Sequence, residues 1–206
     1  GNGAAGIGSS DGNGAGTIEI TGGNITANGG NNAAGIGSGY NSNGNTTINI
    51  EGGTIVKAQG GQGGAGIGGG DESTGTTNII INSGTIKEAV GGNTGDGIGS
   101  GSGSRNNHTT TVWINGGTIT SAKGGQGFCS FEGGDGIHSD GNLTISSGTS
   151  IGSAIGGSGG DGNNSSGAGD GIYSYGELKI EGGTIGTAQG GNATADHKDG
   201  GSGIYS

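Results

Sequence analysis

A Gly-Ile pair recurs along the whole chain, with its isoleucine at Ile7, Ile36, Ile67, Ile98, Ile137, Ile172 and Ile204, at steps of 29 to 39 residues. Between these pairs lie alternating aliphatics: Ile18/Ile20, Ile48/Ile50, Ile79/Ile81, Val112/Ile114, Leu143/Ile145 and Leu178/Ile180. A third set, Ile25, Ile55, Ile86, Ile119, Ile151 and Ile185, follows each alternating pair at a near-constant distance. Of all the Ile, Val and Leu residues, only Val56, Ile80, Val90 and Ile155 fall outside this scheme. The local period is two, which is a strand and not a helix. Three short strands per repeat, each with one aliphatic face, close into one coil. Coils stacked about 4.8 Å apart pair every strand with its counterparts above and below. Isoleucine then rests on isoleucine in a thin core that no single repeat could bury. The fold expected is all-β: a parallel β-solenoid of the right-handed β-helix kind, with six to seven coils of about 31 residues and three strands per coil.

Composition fits a thin core better than a thick one. Of 206 residues 62 are glycine, none is proline, and only 25% are hydrophobic. A collagen triple helix would need glycine at every third place and much proline. Low hydropathy and a net charge of −10 push toward disorder, but a disordered chain would not sort its aliphatics into files. Two other arrangements are open at this level: two shorter coils per repeat, although the half-repeats do not resemble one another, and bundled polyglycine helices, whose period of three the alternating segments break. Six basic residues against sixteen acidic ones exclude nucleic acid as an expected partner, since phosphate binding needs a basic face. No apolar run is long enough to insert into a bilayer.

The segments GGQGGAGIGGG, TTINIEGGTIVKAQGG and TTTVWINGGTITSAKGG resemble the glycine-rich β-helix repeats of large surface proteins of Gram-positive gut bacteria. That resemblance implies an extracellular, cell-surface module of the adhesin-like or carbohydrate-binding kind, with a glycan or other host-surface ligand as partner. It supplies no catalytic residue. Residues 1–206 read as one solenoid domain. Both ends fall in mid-motif, so the chain is expected to be a segment of a longer repeat protein or a filament subunit that stacks head to tail, Gly203-Ile204-Tyr205 onto Gly6-Ile7-Gly8.

The repeat changes partway along. After Ile137 the connection from the Gly-Ile strand to the alternating strand shortens, while from Ile119 onward the connection leading into the next Gly-Ile strand lengthens. The long loops, 123–135, 156–170 and 189–202, would project side by side from one corner. Over the same coils the residue after the isoleucine changes from Gly8, Gly37, Gly68 and Gly99 to His138, Tyr173 and Tyr205. If isoleucine points inward, these rings point outward. With Tyr175 and Asp140 they would form a shelf on which a pyranose lays its apolar face, its hydroxyls meeting polar side chains. The competing reading is that stacked rings only tie parallel strands together. Two residues before the isoleucine, Ala5, Ala34 and Ala65 give way to Asp96, Asp135 and Asp170. Strict alternation aims these carboxylates inward, where like charges about 5 Å apart repel. They would cap glycine amides, share protons, or hold a cation such as Ca2+. Two residues after the isoleucine, Ser9, Ser38, Gly69, Ser100, Ser139, Ser174 and Ser206 suggest a small inward stack.

The other candidates are weaker. GGDGIHSDG places Asp135, His138 and Asp140 together, and with Asp170 they are the one cluster that could flank a glycosidic bond; no enzyme is expected. Arg105 sits in a loop with no acidic partner in sequence. His108 and His197 read as loop residues without metal-ligand spacing. Cys129, between Phe128 and Phe131, reads as part of an apolar loop plug or as an intermolecular disulfide. Just before the third-set isoleucines, Asn24, Thr54, Thr85, Thr118, Thr149 and Thr184 approach one file of an ice-binding array, but a second file is missing.

Overall fold

The computed structural model describes residues 2–103, 108–161, 167–194 and 199–206. The chain winds as a parallel β-solenoid of about six turns, about 32 residues each, on three parallel sheets of seven, seven and six strands. The first sheet stacks the Gly-Ile strands, so that Ile7, Ile36, Ile67, Ile98, Ile137, Ile172 and Ile204 stand in one register column. The second carries two columns, Ile18 to Leu178 and Ile20 to Ile180. The third carries Ile25 to Ile185. From the second coil to the fifth these side chains are almost wholly buried. Each such isoleucine contributes about 2 kcal/mol of apolar burial.

A fifth column escaped the aliphatic count. Ala27, Ala58, Ala89, Ala122, Ala154 and Ala188 stack in register, and the first five are buried in the core. In the first coil the alanine follows its isoleucine by two residues and in every later coil by three, and the pairing slips between Ile25 and Thr26 to absorb the difference. The extra residue is expelled; Val56 is one such, and it is exposed. In the same sheet Thr118 pairs with Ser150 while Gly117 pairs with Thr149. The expected threonine file therefore runs through Ser150 instead of Thr149. No helix long and apolar enough to cross a membrane is present among the described residues.

The Gly-Ile strands come in two forms. β4 (Ile36–Gly37), β7 (Ile67–Gly68) and β11 (Ile98–Gly99) have two residues each, whereas β14 (Ile137–Ser139) and β17 (Ile172–Ser174) have three. Gly8, Gly37, Gly68 and Gly99 take φ between +138° and +151°, a conformation that L side chains rarely adopt. A Cβ on Gly37 or Gly68 would overlap the carbonyl oxygen of the next coil's glycine. At Gly37 and Gly68 the short form thus admits only glycine, and inside the stack a side chain enters this column where the strand extends through it, at His138 and Tyr173.

Candidate functional site

His138, Tyr173 and Tyr205 occupy one register position on β14, β17 and β20 (Ile204–Tyr205). Their rings stack: centroids are 4.8 Å apart for His138–Tyr173 at 11°, and 5.4 Å apart for Tyr173–Tyr205 at 2°. These spacings are close to the rise of the solenoid itself. The file is not uniformly outward to water, as the sequence suggested. Tyr205 is 52% exposed and Tyr173 half-buried, but His138 is only 3% exposed.

What covers His138 is the aspartate file, which does not point inward. The chain bends at the glycine before each isoleucine, Gly97, Gly136 and Gly171. That bend breaks the alternation and puts the residue two before the isoleucine on the same side as the residue after it. A Cβ on Gly99 would lie 2.7 Å from Asp96 Oδ2 and 2.8 Å from His138 Cβ. His138 Nδ1 donates to Asp135 Oδ2 at 2.6 Å, with Asp96 Oδ2 at 3.9 Å, and Nε2 donates to Asp140 Oδ1 at 3.1 Å. Ionised carboxylates only accept hydrogen bonds, so both ring nitrogens carry protons and His138 is an imidazolium. Burial alone would lower its pKa. The Asp96 charge and the hydrogen bonds that His138 donates to Asp135 and Asp140 outweigh that and raise it to about 10. For Asp140 burial acts upward, but the His138 hydrogen bond and charge, with the Thr110 amide, bring its pKa below the usual value.

The carboxylates also cap backbone amides of the following coil, in place of the glycine amides anticipated. Asp96 Oδ1 accepts from the Asp135 amide at 2.7 Å, Asp135 Oδ1 from the Asp170 amide at 2.6 Å, and Asp170 Oδ1 from the Ser202 amide at 2.5 Å. In the earlier coils the equivalent amides of Ala5, Ala34, Ala65 and Asp96 donate to carbonyls of Ser9, Ser38, Gly69 and Ser100. Where the strand is the three-residue form, the aspartate of the coil before receives the amide instead. Among the described residues, Asp96, Asp135 and His138 form a group whose ligand atoms lie within 4.8 Å of one another, but its nitrogen ligand is protonated. The set is therefore poor for calcium, which takes six to eight oxygens.

Behind this cluster runs a second buried histidine, also unforeseen. His108 is 5% exposed and hydrogen-bonds Thr77 Oγ1 at 2.9 Å and Thr110 Oγ1 at 3.1 Å. It lies against Gly69, the gap in the serine file: a Cβ there would meet His108 Cε1 at 3.1 Å. Ser9, Ser38, Ser100, Ser139 and Ser174 are buried, whereas Ser206 is exposed; backbone partners include Gly70 N–Ser38 Oγ at 2.9 Å and Ser174 Oγ–Gly141 O at 3.1 Å. Burial lowers the His108 pKa to about 4, with Asp140 opposing and His138 assisting. Thr110, Ser100 and Asp140 link the two rings (Ser100 Oγ–Thr110 Oγ1 2.9 Å, Ser100 Oγ–Asp140 Oδ2 3.4 Å). One histidine is charged, the other neutral.

In front of the cluster the rings border an open groove. One stretch of about 300 Å3 is lined by Tyr173, Tyr175, Asp140, Asp170 and Glu132. It continues into a stretch of about 690 Å3 lined by Tyr173, Tyr205, Asp199 and Ser202. The long loops form its walls and meet through backbone bonds, Gly133 N–Gly167 O at 3.3 Å and Ala168 N–Asp199 O at 3.2 Å. Tyr175 projects fully, 79% exposed. Cys129 is exposed, as are Phe128 and Phe131, so this part of the loop is not a buried plug. Arg105, His197 and parts of loops 156–170 and 189–202 lie outside the described residues. Set against protein-family models, curated proteins and solved structures, the chain matches none.

Proposed function

We propose that the chain is an extracellular surface-display module of the adhesin-like kind, non-catalytic, which binds a glycan in the groove along Tyr173, Tyr175 and Tyr205. The observation that carries this reading is the column of parallel rings, held at fixed spacing by the sheet, that ends at the exposed Tyr205 beside a groove walled by polar loops. Tyr173 is covered on both faces by His138 and Tyr205, so the faces that meet the apolar side of a sugar are those of Tyr175 and the outer face of Tyr205, while Asp140, Asp170 and Ser202 meet its hydroxyls. His138 is not part of the platform; it is the cation beneath it that locks Tyr173 in place. Tying up Asp135, His138 and Asp140 in one ion cluster supports a recognition role over hydrolysis. The deciding experiment is a glycan array probed with wild type, Tyr173→Ala and Tyr205→Ala. Binding by wild type that both variants lose supports the groove; equal binding by all three overturns it. A second reading, head-to-tail stacking of copies, is favoured by the exposed Ile180 and Ile204 on the final strands. Light scattering that stays monomeric at high concentration removes it.

A further inference from the structure

Loop 123–135 serves two hollows. Glu132 lines the tyrosine groove, whereas Phe128 and Phe131 line a separate cleft of about 280 Å3 built on the second to fourth coils. The rings stand 57% and 61% exposed at this cleft. Facing them are the side-chain amides of Asn32, Gln62 and Asn93 and the carboxylates of Asp71 and Glu72. Among the described residues, no lysine or arginine lines it.

The backbone singles out the same place. At one turn position Gly12, Asn41, Glu72 and Gly103 all take positive φ, from 50° to 74°. At another, Gly3, Asn32 and Thr94 do so, from 62° to 75°. Glycine and asparagine tolerate that conformation; glutamate does so poorly, and β-branched threonine is an outlier there. The repeat therefore sets an ill-suited residue at these turns at Glu72 and Thr94, and both line the cleft. Cys129, between the two phenylalanines, is a further such residue, with φ of 52°. Strain of this kind persists where the side chain is used, and the Glu72 carboxylate accepts from the Tyr40 hydroxyl at 2.8 Å.

We infer that this cleft is a second binding site for a neutral carbohydrate, its apolar face on Phe128 and Phe131 and its hydroxyls on the amides and carboxylates opposite. The two carboxylates, Asp71 and Glu72, repel uronic, sialic or sulfated sugars. Paired amides and carboxylates beside an aromatic face suit vicinal hydroxyls. Burial, and then the charge of Glu72, raises the Asp71 pKa to about 6 against the pull of the Glu72 amide, so near pH 7 this carboxyl is mainly ionised and accepts hydrogen bonds from hydroxyls. The site does not depend on the tyrosine groove, because the two share none of their lining residues.

The test is calorimetric titration of the full chain with neutral hexasaccharides of β-1,4-linked glucose, mannose and xylose. Tyr173→Ala silences the groove and is expected to leave one binding event. In that background Glu72→Gly and Phe131→Ala are each expected to weaken it at least about tenfold. Glu72→Gly relieves the turn but also removes the acceptor of the Tyr40 hydroxyl; Tyr40→Phe, which breaks that bond alone, is expected to keep binding, so lost binding in Glu72→Gly cannot be laid to the lost bond. Thr94→Gly makes the same test at the other turn. If Tyr173→Ala alone abolishes binding, or the Glu72 and Phe131 variants bind as before, the second site is wrong and the groove reading stands. A hexasaccharide bound by wild type and lost only with the Glu72 and Phe131 changes supports the second site and counts against the groove. No binding of any hexasaccharide by wild type overturns the second site; a blank glycan array as well overturns the groove.

Discussion

The first four coils and the last three are built on the same aliphatic columns but differ at one file of the Gly-Ile sheet. Through Gly99 that file is glycine, the strand is two residues long, and successive backbones touch with no room for a Cβ. From His138 onward it carries rings, the strand in β14 and β17 is three residues long, and loops 123–135, 156–170 and 189–202 open over it. The aspartate file begins one coil before the rings, at Asp96. Each carboxylate caps the amide of the coil that follows, so the first cap must stand one coil ahead of the first extended strand. The lesson is that a solenoid exchanges scaffold for site by changing one column, provided that a neighbouring column takes over the hydrogen bonds the change releases.

That contrast can be broken most severely in the glycine half. Gly68→Ala is expected to cost about 4 kcal/mol or more, from positive φ and backbone overlap together, as read by denaturant unfolding. Tyr173→Gly, at the same file in the ring half, should be far milder. Next is His138→Gln, which leaves Asp96, Asp135 and Asp140 with no cation; a loss of about 3 kcal/mol is expected, partly recovered in the double variant with Asp135→Asn. If the double variant is no better than the single one, the carboxylates are not what His138 balances.

The two histidines predict opposite pH limbs. The folded His138 pKa of about 10 lies above its ordinary 6.5, so its contribution is complete below 6.5 and fades as pH rises toward 10. The folded His108 pKa of about 4 lies below 6.5, so its contribution is complete above 6.5 and fades as pH falls toward 4. Thermal melts should therefore peak near pH 6.5, with on the order of 2 kcal/mol lost on either limb. The alkaline limb should flatten in His138→Gln; an unchanged limb would place its origin elsewhere. Tyr205→Ala, which removes one stacked ring, should cost only about 1 kcal/mol by chemical denaturation. Smallest of all, a chelator should leave the melting temperature unmoved, because His138 already supplies the positive charge; a fall would reinstate calcium at the aspartates.

The aliphatic columns were legible because a parallel coil repeats each inward position at a fixed offset, so the register is written in the spacing of Ile36, Ile67 and Ile98. The alanine column was hidden by the residue expelled after Ile55 and its successors, which breaks the period of two. The ring stack was legible for the same reason as the core. The direction of the aspartates was not, because a single bend at Gly136 reverses a face that alternation assigns to the core. His108 was missed because its place is defined by the gap at Gly69 in a file two strands away, and the only trace in sequence is one missing serine.

By itself, then, the sequence determined the solenoid, its three sheets and the half in which the rings gather, since periodic burial of isoleucine admits one way of stacking the chain. Which side each polar residue faces, which histidine is charged, and that Glu72, Thr94 and Phe128 line one cleft were decided by the tertiary structure. Bends, bulges and contacts between distant coils act through space, and a repeat records only what recurs along the chain.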